Sequence, residues 1–339
     1  MTIDLSKLQK NALRFKEYAD RFTYAVVKAD AYGHGAVRCV AALRSVVDGF
    51  AVALIDEAIA IKDASEDKEI LVLTPPLCVD EVLVAARNGF TLTVADLHSA
   101  RLVAETVQDY RMTVDVQIKV NTGMNRYGCY GSVLGKVCCL LKACGQIRVV
   151  GVYSHLYSHR RALCDEQRLR FYRGLLICRK YFPLVRAHLA STFGACLGEE
   201  FLFDAVRIGL GLYGYFPEGE APFALQPVMR AYAPCVAVRM CRFGGAGYGE
   251  NREDLHGTKI SALRCGYADG FGVCAEQSGL FPPLVGQLCM DVCLCPRTMK
   301  IGKKVLLFDD AAVVAKARGS STYEVLCRAA LRAKREYLT

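Results

Sequence analysis

Apolar runs rich in β-forming residues recur along the first two thirds of the chain. They fall at Tyr24–Lys28, Phe50–Leu54, Ile70–Leu73, Phe90–Val94, Val114–Val120, Arg148–Ser154, Val185–Leu189 and Ala205–Leu210. Each reads as a strand. Most are followed by a segment with helical spacing of apolar positions: Asp56–Ala64, Val79–Asn88, Asp96–Asp109, Val133–Cys144 and Asp165–Tyr181. Strands alternating with helices predict parallel pairing through right-handed crossovers. Eight such units in about 210 residues predict a closed (β/α)8 barrel of the TIM type, with an open, doubly wound sheet as the alternative.

The pattern changes after Gln226. Ala231–Arg239, Lys259–Leu263, Leu284–Val285 and Lys304–Phe308 are strand-like, but glycine- and proline-rich turns separate them instead of helices. Only Thr322–Lys334 has helical spacing there. The expected division is a barrel over residues 1–226 and a mostly β domain over 227–339. The segment Tyr215–Pro227, with its three prolines, is the expected connector. A length of 339 residues suits two domains at about 150 residues each.

Composition narrows the class. With 53% hydrophobic and 23% charged residues, disordered, collagen-like and coiled-coil chains are excluded. The net charge of +9 would suit nucleic acid only if it were clustered. It is spread, with modest concentrations at Arg160–Arg161, Lys300–Lys304 and Arg328–Arg335. That spread points to solvated faces and an anionic ligand, not to nucleic acid. The 17 cysteines include no C-x-x-C pair, which argues against zinc ribbons and redox motifs. The start MTIDLSKLQKNALRF lacks a signal-peptide pattern. Reduced thiols packed as small hydrophobes, in a cytoplasmic protein, are therefore expected. No uncharged apolar run reaches the roughly 18 residues of a membrane span.

Candidate chemistry lies where barrel strands end. Lys28 closes the first apolar run, although burying an ammonium is costly. It is either a lysine that snorkels to water or a desolvated amine able to form a Schiff base. Gly209, Gly211 and Gly214 match G-x-G-x-x-G after the eighth run. The dinucleotide reading is weak, because no clear helix or suitably placed acidic residue follows. A phosphate cradle of backbone N–H groups and a plain tight turn remain open. His155 and His159 are spaced i, i+4 without the glutamate of a zinc protease. Cys289, Cys293 and Cys295 are poorly spaced for a metal, and none is expected.

At Lys28 the residues meet a known family. Ala25–Gly35 resembles the signature around the pyridoxal-phosphate lysine of alanine racemases, the fold-type III enzymes. Lys119-Val-Asn-Thr-Gly-Met-Asn-Arg126 is similar to the family's K-x-D-T-G-M-x-R. Gly151–His155, Ala190–Thr192, Arg207–Gly214, Gly247–Gly249, Gly266–Gly270 and Gly286–Asp291 follow in the family's order. Eight ordered motifs spread over nearly the whole chain make the resemblance specific.

The resemblance implies an α/β fold, with an N-terminal (β/α)8 barrel and a C-terminal β domain, and the cofactor pyridoxal 5'-phosphate. It implies that Lys28 holds the cofactor through a Schiff base and serves as one acid/base. Tyr32, Thr192, Gly209 and Leu210 would surround the phosphate. Arg207 would donate to the pyridine nitrogen, with His155 near the ring, and Arg126 would face the phenolate oxygen. Tyr248 would act as the opposite base and Met290 would help bind the substrate carboxylate, both from the partner subunit of a homodimer. Asp291, Tyr267 and Lys119 would support the site. Lys119 is either carbamylated, as in some relatives, or an ordinary lysine beside arginine. The implied reaction interconverts L- and D-alanine by two bases and supplies D-alanine for peptidoglycan. The alternatives are racemisation of serine or another small amino acid, a non-catalytic cofactor-binding protein, or a related decarboxylase. Asn121 stands where the family has aspartate, Val273 where an arginine often follows, and Leu331 where many members have tyrosine. These departures bear on the substrate entrance.

Overall fold

The structure, a computed structural model, describes residues 1–243, 245–248, 255–272 and 279–339. A short strand β1 (Thr2–Asp4) opens the chain, and the barrel strands follow. These are β2 (Phe22–Val26), β3 (Gly49–Val52), β4 (Glu69–Val72), β5 (Leu92–Val94), β6 (Val114–Lys119), β7 (Ile147–Tyr153), β8 (Arg186–Ser191) and β9 (Ala205–Ile208). All eight strands expected from the apolar runs form. They lie in the order β4-β3-β2-β9-β8-β7-β6-β5. The named pairs within this sheet are parallel, for example Tyr24 with Gly49 and with Arg207. A parallel bridge between Leu71 and Thr91 joins the two end strands, with Val72 N–H donating to the Thr91 carbonyl at 2.9 Å. That bridge closes the barrel, so the open-sheet alternative falls.

The helices form where spacing and caps agree. Val79–Asn88 buries Val82, Leu83 and Ala85, and Gly89 ends it at φ +71°, a conformation glycine adopts without a Cβ penalty. Leu97–Asp109 begins at Asp96, whose carboxylate accepts from the Ser99 N–H at 2.7 Å. The opening helix Leu5–Ala19 is not among the expected elements. Its apolar stripe is nevertheless regular: Leu5, Leu8, Ala12, Phe15 and Ala19 are all buried.

A second, six-stranded sheet contains β10 (Met229–Met240), β11 (Lys259–Leu263), β12 (Cys293–Cys295), β13 (Lys304–Phe308) and β14 (Glu336–Leu338). Strand β1 joins it, antiparallel to β10 and parallel to β14, so the chain's two ends lie side by side. The helix expected over Thr322–Lys334 stops at Ala329. The residues beyond it leave the helix to carry Arg332 and Arg335 to ion-pair partners elsewhere. A further helix, Ala311–Ala317, is an unpredicted addition. The described cysteines are all free and mostly buried. Cys138 and Cys178 approach to 3.7 Å between adjacent helices.

Polar side chains cross the barrel interior. Arg207 Nη1 lies 2.6 Å from His188 Nδ1, and His188 Nε2 lies 2.5 Å from Gln117 Oε1. Since Arg207 can only donate, His188 carries its proton on Nε2 and donates it to Gln117. Gln117 Nε2 in turn donates to the Tyr24 hydroxyl and to Glu69, both at 2.9 Å. Arg186 closes the far end on Glu69 and Tyr24, at 2.7 Å each. A network buried this deeply is stabilising only while every member is satisfied. Gln117→Leu strands the His188 donor and removes two donors from Tyr24 and Glu69. The expected loss is about 2–3 kcal/mol, read as a lower urea midpoint with unchanged m-value.

Candidate active site

Lys28 leaves the end of β2 into an unusual turn. Ala29, Asp30, Ala31 and Tyr32 have φ of +51°, +53°, +54° and +51°. Four successive left-handed residues with side chains cost about 1–2 kcal/mol each. Compensating hydrogen bonds surround them. Glu57 accepts from the Ala29 N–H at 2.7 Å, and Asp30 accepts from the Ala36 N–H at 2.7 Å. His34 Nδ1 lies 2.9 Å from both the Ala31 and Tyr32 carbonyls, so Nδ1 carries the proton. Gly33 ends the turn at φ +80°, where a Cβ would stand 2.4 Å from the Leu326 carbonyl oxygen. The turn places Lys28 and Tyr32 on the same cavity.

That cavity has a volume of about 570 Å³ and lies where the barrel strands end. Lys28, Tyr32, Lys119, Arg126, His155, Thr192, Arg207, Gly209 and Leu210 all line it. Nine of the thirteen residues singled out in the sequence thus converge on one space. Its wall contains two lysines, two arginines and no Asp or Glu. Glu57, the carboxylate that acts on Lys28, has its oxygens engaged by the Ala29, Ala53 and Leu54 amides.

The electrostatics follow from this arrangement. Burial, then the Arg126 charge, lowers the Lys28 pKa below its ordinary value. Lys119 is buried, and burial together with Arg207 and Arg126 holds its pKa well below the usual lysine value. Its ammonium sits 4.2 Å from the centre of the Tyr153 ring, and the Arg207 guanidinium 5.1 Å from the same ring. That aromatic face supplies part of the missing negative charge. Burial lowers the Arg207 pKa to about 10, so it stays cationic at neutral pH. Its Nη2 donates to the Ser154 carbonyl at 2.6 Å and lies 3.5 Å from His155 Nδ1. Burial and these cations keep His155 neutral, with a pKa well below 6.5.

The loops after β8 and β9 meet at Thr192. Its hydroxyl accepts from the Gly209 and Gly211 N–H groups, both at 3.2 Å. A Cβ on Gly209 would stand 2.8 Å from the Tyr32 hydroxyl, and one on Gly211 only 2.3 Å from Phe15. Glycine is required here for close approach. The Arg126 loop is closed by Asn121, whose Oδ1 accepts from Gly123 N at 2.9 Å and whose Nδ2 donates to Asn125 Oδ1 at 3.0 Å. An aspartate at 121 cannot make the second bond.

Tyr248, Tyr267, Met290 and Asp291 do not line the cavity. They belong to the second sheet's loops, which are tied together. Tyr248 bridges Gln287, and Tyr267 N–H donates to the Cys289 carbonyl at 3.1 Å. Arg332 pairs with both Asp269 and Asp291. Tyr248 and Met290 are 66% and 53% exposed, so they present an open face instead of a wall. Leu331 is exposed and away from the cavity. Val273 and Gly249 lie outside the described residues. No metal-binding cluster occurs among the described residues. Sequence reasoning missed Tyr323, Cys327 and Tyr153 as wall residues. Tyr323 and Cys327 come from the helix Thr322–Ala329, and no local pattern shows that this helix reaches the barrel mouth.

Fold and cavity together define a (β/α)8-barrel enzyme with its site at the strand ends and a mostly β second sheet. Residues 3–217 match the family described as alanine racemase, N-terminal domain, and residues 228–337 match alanine racemase, C-terminal domain. A curated alanine racemase of Streptococcus equi subsp. equi is 31% identical over 99% of this chain and 97% of its own. The crystal structure of alanine racemase from Bacillus anthracis with bound L-Ala-P superposes with a TM-score of 0.89 at 27% identity, covering 100% of this chain and 94% of that one. The enzyme from Bartonella henselae with covalently bound pyridoxal phosphate gives 0.88 at 25% identity, covering 99% and 98%. The chain belongs to the alanine racemase family and is an amino-acid racemase.

The buried histidines set a pH limit on the fold. His34 is fully buried and burial pushes its pKa down to about 4, whereas unfolded histidine titrates near 6.5. Below about pH 6.5 the unfolded chain therefore binds the extra proton, and stability falls towards acid. At about pH 5 the loss from His34 alone is about 2 kcal/mol. Urea midpoints are expected to drop between pH 7.5 and 5, and His34→Gln to shrink the drop.

Proposed function

We propose that this racemase interconverts L-alanine and D-alanine with pyridoxal 5'-phosphate held in the Lys28 cavity. The carrying observation is the wall itself: two lysines, two arginines, no carboxylate, and a glycine-lined hydroxyl cradle on one space. Such a wall suits a ligand with several negative charges. Lys28 would hold the cofactor, and Tyr32, Thr192, Gly209 and Leu210 would surround its phosphate. Tyr323 lines the cavity near them, its ring 6.0 Å from that of Tyr32. Arg126 would face the phenolate oxygen. When bound, pyridoxal phosphate supplies the electron sink that acidifies the Cα–H of an amino acid joined to it.

The chain's own residues do the rest. Lys28 Nζ, its pKa lowered by burial and Arg126, moves the Cα proton on one face. The Tyr248 hydroxyl of the partner subunit does so on the other face. Arg207 keeps its own proton, because His188 and the Ser154 carbonyl accept from its two terminal nitrogens. It would therefore donate to a ring nitrogen without giving up its proton. Met290 of the partner subunit helps bind the substrate carboxylate, and Asp291, tied to Arg332, orders that loop. The homodimer reading rests on the exposure of Tyr248 and Met290, neither of which lines the cavity. The enzyme acts in the cytoplasm, and its D-alanine supplies peptidoglycan. Buried free thiols, and the lack of a helix long and apolar enough to cross a membrane among the described residues, support that location.

The deciding experiment is a chiral assay. Purified protein with added pyridoxal phosphate should absorb at about 420 nm and form D-alanine from L-alanine faster than it racemises serine. Bound cofactor without D-alanine formation would refute the reading, and faster serine turnover would shift the substrate. Sharing of the site has its own test. Lys28→Ala and Tyr248→Phe are each expected to be inactive, and a 1:1 mixture that has exchanged subunits to regain about a quarter of the activity, since about half of its dimers are mixed and each mixed dimer keeps one of its two sites intact.

A further inference from the structure

We propose that the carboxyl-terminal segment Arg335–Tyr337 is a strap that holds the left-handed turn after Lys28, with Arg335 as the positioning residue for the lysine. The inference rests on the reading of Lys28 as the reacting amine. Arg335 reaches across the molecule with two donors. Its Nε donates to the Gly33 carbonyl at 2.9 Å and its Nη2 to Asp30 Oδ2 at 2.5 Å. The other Asp30 oxygen is taken by the Ala36 N–H, so the carboxylate is fixed on both sides. Asp30 lies within the strained turn and Gly33 ends it. One guanidinium therefore spans the turn, a geometry that a point charge cannot copy.

Tyr337 presses on the same segment. A Cβ on Gly35 would stand 1.9 Å from the Tyr337 hydroxyl, so only glycine admits the strap. Arg38 covers the outer side of the Tyr337 ring at 5.2 Å. The strap is itself anchored. Glu336 pairs with Thr2 and Tyr337 with Ile3, and the Met1 amino group donates to the Lys334 carbonyl at 2.7 Å. The turn's remaining supports, Glu57 and His34, come from the barrel half of the chain. Arg335, just before β14, is the side chain that donates to both Asp30 and Gly33 of the turn. Without it, a turn of four disfavoured residues has an easier path to relax, and the Lys28 amine loses its aim.

The test compares full-length wild type, Arg335→Ala and Arg335→Lys, each loaded with pyridoxal phosphate. Steady-state kinetics with L-alanine are combined with amide hydrogen exchange of the peptide covering residues 29–35. Arg335→Ala is expected to lower kcat about 10-fold with KM within about twofold, and to speed exchange of that peptide about 10-fold. Arg335→Lys keeps the ion pair with Asp30 but not the second bond to Gly33, so its kcat should fall between those of Arg335→Ala and wild type. A kcat within about twofold of wild type, or unchanged exchange at 29–35, overturns the proposal. Should Arg335→Ala not fold, Asp30→Asn, which retains the Ala36 contact and loses the ion pair, is judged by the same criteria. Absence of racemisation in wild type would count against the function. The exchange data would still decide the strap.

Discussion

Lys28, Lys119, Arg126 and Arg207 face one cavity whose wall holds no carboxylate. Removing a charge from water costs several kcal/mol even after relaxation, and like charges brought together add to that cost. The remaining architecture works around this constraint. Arg207 is satisfied by carbonyls and by a neutral histidine. The Tyr153 ring lies against Lys119 and Arg207. Both responses hold Arg207 in place as a cation, which leaves its charge for an incoming anion. Burial and the Arg126 charge keep the Lys28 pKa depressed, and a depressed amine is the one that can exchange protons near neutral pH.

The second constraint is backbone geometry. Holding Lys28 at a strand end while turning Tyr32 back to the same cavity takes four left-handed residues. Such strain persists only where the surroundings over-determine it. Here the surroundings include Glu57, His34 and the chain's own carboxyl terminus. The second sheet thus has two relations to chemistry. It steadies its own barrel's lysine through Arg335, and it exposes Tyr248 and Met290, which do not line that lysine's cavity. The +9 charge is only partly accounted for by the two lysines and two arginines of the cavity.

Much of the barrel was legible from the chain because a buried parallel strand must be a short apolar run, and each such run stands out between amphipathic helices. Lys28 was legible as an anomaly, a cation closing one of those runs. The opening helix was legible too, in the spacing of Leu5, Leu8, Ala12 and Phe15. The end of the last helix was not. Nothing local between Ala329 and Lys334 forbids helix; Arg332 and Arg335 are drawn away by carboxylates at Asp269, Asp291 and Asp30.

The sequence by itself therefore determined what depends on neighbours along the chain: the strand and helix beat, the change near Gln226, and the residue types able to bind an anion. The tertiary structure alone decided what depends on distant partners. It closed the barrel through Leu71 and Thr91, and it brought Tyr323 and Cys327 into the wall. It also joined Glu69 to Arg207 through Gln117 and His188, and Arg335 to the turn at Lys28. These contacts bridge residues far apart in sequence. Their formation depends on where rigid elements pack, and periodicity carries no record of that.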